Sequence, residues 1–156
     1  VLVNLNYGVD RGLIIGGGYL IENQGFRKTP YAYRHEFLAS YLTGRNSFIF
    51  EYRGNLKHAI GEQDLAIDLR ALGPFNQSNF FGYGNNTIYQ KGEDRSISYY
   101  RNRYDLINAD ILLEYAPFKD AKVFYGSTSE FYASDPGNNG KRFFAGFDVS
   151  NPDEKI

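Results

Sequence analysis

The stretch "SFIFEYRGNLK", Ser47 to Lys57, decides the fold class. Phe48, Phe50, Tyr52 and Leu56 fall on one parity, with Gly54 among them. Ile49, Glu51, Arg53, Asn55 and Lys57 fall on the other. A β-strand turns successive side chains to opposite faces, so this segment has one greasy face and one face carrying three charges. Two environments satisfy such a strand. A soluble sandwich or lipocalin-like barrel buries the greasy face in a core. A membrane barrel turns it outward to lipid.

Working outward, the same period recurs. Val1, Val3, Leu5, Tyr7 and Val9 alternate with Asn4, Asn6 and Asp10. After a tight turn at Asp10 to Gly12, Leu13, Ile15, Tyr19 and Ile21 share a face. Gly16 and Gly18 lie opposite, where side chains would crowd. "NQGFRKTPY" reads as a loop broken by Pro30. Tyr33, His35, Phe37, Ala39 and Tyr41 then oppose Arg34, Glu36 and Ser40. Beyond the opening stretch, Leu65, Ile67, Leu69 and Ala71 oppose Asp68 and Arg70.

The span from Gly73 to Ile97 is polar, irregular and read as one long loop. Ile107, Ala109, Ile111, Leu113 and Tyr115 oppose Asn108, Asp110 and Glu114. A weaker alternation covers Lys122 to Ser134. A last strand is expected at Arg142 to Ser150, after the turn cluster "DPGNNGK". The expectation is all-β: about eight strands, mostly of 8–12 residues, antiparallel and up-and-down, with no convincing helix. Strands crossing a bilayer at a tilt need roughly 9–11 residues, whereas the mean globular strand has about 5–6. The apolar faces end in Tyr33, Tyr41 and Tyr115, as aromatic girdles at lipid interfaces would.

Composition bounds the function. The chain has 156 residues and a net charge of −1, which argues against a nucleic-acid partner. It has no Cys, hence neither disulfides nor thiol chemistry, and no Met or Trp. Tyr at 14, Phe at 13 and Gly at 17 are high and fit a strand-rich chain. It opens on Val1 already in mid-pattern and reads as a mature chain or an excised piece. No apolar run approaches the roughly 20 residues of a transmembrane helix, which leaves barrels open.

No catalytic, cofactor or metal site is expected. His35 and His58 lack zinc-type spacing, and His35 reads as an interfacial or packing residue. Asp110 and Glu114 share a strand face, where acid–base work competes with the plainer role of wall charges. Gly16-Gly17-Gly18 has no Lys-Ser/Thr or helix after it, so it is no phosphate loop. Asn76-Gln77-Ser78 and Asn85-Asn86-Thr87 match the glycosylation pattern, a short motif that decides nothing by itself.

Four motifs in order carry a resemblance: "DRGLIIGGGY" (Asp10 to Tyr19), "GFRKTPY" (Gly25 to Tyr31), "NFFGYGNNT" (Asn79 to Thr87) and "YYRNRYDLINADILL" (Tyr99 to Leu113). Together they resemble the barrel of the bacterial surface antigen superfamily, the BamA/TamA type. More narrowly, they are similar to a branch whose barrel follows a calcineurin-like metallophosphoesterase domain. The resemblance implies an outer-membrane β-barrel of a Gram-negative bacterium, acting in protein assembly, secretion or anchoring. Its partners would be outer-membrane lipid and possible client proteins or the remainder of the barrel. It also implies sixteen strands, twice the count here, so residues 1–156 read as about half a transmembrane barrel, the first half. The phosphoesterase metal motifs and the arginine-glycine-aromatic loop motif of such proteins are absent from this sequence.

On this reading Phe48, Phe50, Tyr52, Leu65, Ile67, Leu69, Ile107, Ile111 and Leu113 face lipid. Glu51, Arg53, Asp68, Arg70, Asp110 and Glu114 face the lumen. The alternatives are a soluble β-barrel or sandwich holding an apolar ligand or protein partner, and a small closed eight-stranded barrel or pore.

Overall fold

The computed structural model describes residues 1–9, 11–82, 96–118, 120–134 and 136–143. They form one antiparallel sheet in which every strand pairs with its sequence neighbours, in the order β1 to β7. The strands are β1 (Leu2–Gly8), β2 (Gly12–Asn23), β3 (Tyr33–Leu42), β4 (Ser47–Ile60), β5 (Gln63–Asn79), β6 (Arg101–Phe118) and β7 (Ala121–Ser134). A four-residue helix, α1 (Pro136–Asn139), follows. The sheet is open, with β1 and β7 at its edges. The all-β, antiparallel, up-and-down expectation holds at that level.

Three expectations need correction. First, the strands are not evenly 8–12 residues: β1 has 7, β5 has 17 and β6 has 18. Secondly, Gly73 to Ile97 is not one loop, because β5 continues through Gly73 and Pro74 to Asn79. Pro74 breaks no ladder there, since the β5–β6 register shifts between Leu72 and Asn76 and the irregularity absorbs the missing N–H. Beyond the shift, Asn76, Gln77, Ser78 and Asn79 pair with Tyr104 back to Arg101. Thirdly, Arg142 and Phe143 are not in a strand. The rest of the strand expected there lies outside the described residues, as does Asp10 of the first turn.

The connections sort by end. β1, β3 and β5 end and β2, β4 and β6 begin at one end, called here the loop end, where the chain also leaves β7. β2, β4 and β6 end and β3, β5 and β7 begin at the other, the hairpin end, where residues 24–32 and 61–62 lie.

Only one layer of sheet is present among the described residues, yet Leu42 is 1% exposed. Ile14, Leu42 and Ile49 form a buried cluster with Leu72 packed on it. All four lie on the charged parity at the loop end. Their burial sets the loop end of this face apart from its middle, where the Arg53 and Asp68 side chains are more than half exposed. Gly16 and Gly18 let β2 and β3 approach here. A Cβ on Gly16 would strike the Ser40 side chain, and one on Gly18 the Phe37 carbonyl. That is the crowding anticipated from their spacing.

The segment after β7 folds back onto the same face. The Asn139 side chain, 1% exposed, donates from Nδ2 to Asn102 Oδ1 (2.7 Å), the Arg103 carbonyl (2.8 Å) and Ser134 Oγ (3.0 Å). Its Oδ1 accepts from the Arg103 amide at 2.9 Å. The Phe143 amide donates to the Tyr99 carbonyl at 2.9 Å, and its ring packs against Phe80, Tyr99 and Tyr100. Arg142 donates to the Arg101 and Ser98 carbonyls. Burial, with Arg103 and Arg101 nearby, lowers its guanidinium below the ordinary arginine value.

Candidate functional site: an apolar band backed by a charged trough

Cross-strand partners share a face, so the register assembles the alternating residues into rows. One row joins Leu5, Ile15, Tyr41, Phe48 and Gly73. The next runs Gly17, Ala39, Phe50, Ala71, Ile107 and Phe131. Then come Tyr19, Phe37, Tyr52, Leu69 and Ala109, followed by Ile21, His35, Gly54, Ile67 and Ile111. The last joins Tyr33, Leu56, Leu65, Leu113 and Tyr125. These rows span nine residues along β3 (33–41), β4 (48–56) and β5 (65–73). That width falls within the roughly 9–11 residues of a tilted bilayer crossing.

All nine residues expected to face lipid lie in these rows, on one face. Phe48, Phe50, Leu69, Ile107 and Ile111 are 40–54% exposed. Tyr52, Leu65, Ile67 and Leu113 are half-buried among their neighbours. Aromatic rings pack at a tilt within the band, Phe37 against Tyr52 at 4.9 Å and Tyr41 against Phe48 at 5.0 Å. The small residues Gly17, Ala39 and Ala71 leave an open depression of about 500 Å³ between the aromatic rows.

His35 and Tyr52 put a polar pair inside the band. His35 Nδ1 and Tyr52 Oη lie 2.9 Å apart, so each satisfies the other. Tyr52 leans over Gly54, where an added Cβ would meet its hydroxyl at 2.5 Å. The ring thereby covers backbone that a larger residue would have covered, and Gly54 is buried on an otherwise exposed face. His35 is thus a packing residue. This pairing was not legible in the sequence, because it depends on β3–β4 register.

Glu51, Arg53, Asp68, Arg70, Asp110 and Glu114 occupy the opposite face together. One row joins Glu36, Arg53, Asp68 and Asp110. Its neighbour joins Glu51, Arg70, Asn108 and Glu130. Arg53 lies 3.7 Å from Glu36, 3.5 Å from Asp68 and 4.0 Å from Glu51, and Arg70 lies 3.6 Å from Glu51. The separations are long and several groups are exposed, so each pair contributes at most about 1 kcal/mol. Asp110 stands directly across from Asp68, and one of its oxygens is buried without a hydrogen bond. Asp110 and Glu114 are joined on this face by Asp64, opposite Glu114 and 2.6 Å from Lys57.

The trough is not uniformly polar. Sequence reading missed its buried cluster of Ile14, Leu42, Ile49 and Leu72 and the buried Ser47–Asn76 contact. Among the described residues no three His, Cys, Asp or Glu side chains are grouped to hold a metal, and no helix is long and apolar enough to cross a membrane. Comparison with protein-family models, with curated proteins and with solved structures returns no match.

Proposed function

We propose that this chain is a segment of a transmembrane β-barrel in the outer membrane of a Gram-negative bacterium. Its apolar band meets lipid and its charged trough lines the lumen. The observation that carries this reading is the band itself. Five consecutive rows of a single-layer sheet expose large apolar side chains, over a width a tilted strand needs to cross a bilayer. Large contiguous apolar surface on a soluble monomer is rare and marks a buried interface. The opposite face gathers charges of both signs, with Arg53 and Asp68 more than half exposed, which suits a hydrated lumen.

On this reading the open sheet is part of a larger barrel, with β1 and β7 pairing to strands not described here. The role in assembly, secretion or anchoring of outer-membrane proteins rests on the resemblance to the surface antigen superfamily. Unpaired edges are templates for strand addition, and a client strand added to one would use that chemistry.

A soluble binder of an apolar ligand is the second reading, favoured by the depression over Gly17, Ala39 and Ala71. Refolding residues 1–156 with and without detergent separates the readings. A detergent-requiring species that oligomerises through its edges is expected. A monodisperse, heat-modifiable monomer in detergent would favour a closed small barrel. A soluble monomer without detergent would overturn the membrane reading.

A further inference from the structure

The connection between β2 and β3, residues 24–32, is the long one at the hairpin end. It is also fixed. The Ala32 amide donates to the Asn23 carbonyl at 2.6 Å, and the Gly25 amide to Asn23 Oδ1 at 3.0 Å. Lys28 Nζ donates to the Lys57 carbonyl at 2.6 Å, tying the loop to β4. Gly25 and Arg27 adopt φ of 64° and 57°, so the chain turns sharply on either side of Phe26. The result holds Phe26 outward, 85% exposed, with the Arg27 guanidinium 5.0 Å from its ring centroid.

Residues 24–32 contain Arg27 and Lys28 and no carboxylate, and among the described residues Arg27 meets no acidic side chain. An ordered loop that presents an aromatic ring beside a guanidinium, with the Lys28 cation next in sequence and just past the Tyr33 row, has the chemistry of a lipid-interface anchor. The ring enters the acyl boundary and the cations meet phosphate.

We infer that residues 25–28 bind the anionic headgroup of a glycerophospholipid, with Phe26 inserted beside it. This rests on the membrane reading above. The other two connections at this end are two residues each, the pattern of the periplasmic side of outer-membrane barrels, where the facing leaflet is phospholipid. Each cation near an anionic surface should enrich such lipid about fivefold.

The chain has no Trp, so single tryptophans report cleanly. Phe26→Trp and, separately, Leu69→Trp are reconstituted in vesicles containing acyl-brominated phosphatidylglycerol or acyl-brominated phosphatidylcholine. The expected result is that Leu69→Trp is quenched by both lipids. Phe26→Trp is quenched more strongly by the phosphatidylglycerol, and Arg27→Gln with Lys28→Gln abolishes that preference. Quenching at Leu69→Trp without quenching at Phe26→Trp would overturn the loop assignment and leave the membrane reading standing. Equal quenching of Phe26→Trp by both lipids would overturn the headgroup preference. Preference for added lipopolysaccharide over phosphatidylglycerol would place the loop in the other leaflet and overturn the assignment too. No quenching at Leu69→Trp would remove the membrane reading and this inference with it.

Discussion

β5 and β6 each belong to two regions that obey different rules. From Leu65 to Ala71 and from Ile107 to Leu113, one face is apolar and the other mainly polar. Past the register shift, the outer parity of β6 carries Asp105, Arg103 and Arg101, and that of β5 carries Gln77 and Asn79. The inner parity there holds Asn76, Ser78 and Asn102. The strand geometry continues while the change of polarity from face to face stops. A pairing that carries polar residues on both sides, even where Asn76 and Asn102 are buried, leaves no alternation to read.

This difference explains what was legible. The apolar band and the charged row could be read because each residue's neighbours two places away share its environment. All nine band residues share one side of the sheet and all six trough residues share the other for that reason. The β5–β6 extension was misread as loop because Gly73 and Pro74 look like breakers and polar residues follow on both parities. Strand lengths failed with it. The Asn139 contacts and the His35–Tyr52 pair were invisible for another reason, since both depend on how distant segments meet.

The comparison can be broken at several points. The largest effect is expected in the band. Ile67→Arg should cost about 2–4 kcal/mol in a lipid-refolded chain if the residue sits near the bilayer midplane. The same change at Ala66, on the other face, should cost far less. Equal losses in urea titrations of the two variants would show that the faces do not differ in environment.

A smaller loss is expected from Asn139→Ala. Its removal takes hydrogen bonds from the Arg103 amide and carbonyl and one from Asn102 Oδ1, which keeps Ser134, for about 1–3 kcal/mol. The effect should be local. Hydrogen exchange should accelerate at the Arg103 and Phe143 amides while β2 to β4 stay protected. Acceleration spread evenly over the sheet would show that the loop end and the band unfold as one unit.

The smallest effect is expected from Arg53→Ala. Arg53 contacts three carboxylates, but its side chain is 54% exposed and none of the contacts is tight. Stability should change by less than about 1 kcal/mol and become insensitive to salt at that site. A loss comparable with that of Ile67→Arg would mean the trough is much drier than its exposure implies.

The β5–β6 ribbon has a use as a compass. From Leu72 to Asn79 it reaches roughly 20 Å past the apolar rows before any tilt is allowed for. On the membrane reading it stands clear of the headgroups, in whichever compartment holds the loop end. Since the chain has no native thiol, a cysteine at Asn79, exposed near the ribbon tip, becomes a unique address on the protein. A maleimide that cannot cross membranes, added to intact cells, should mark Asn79→Cys if the ribbon points outward. Labelling only after the envelope is opened would turn the whole sheet upside down.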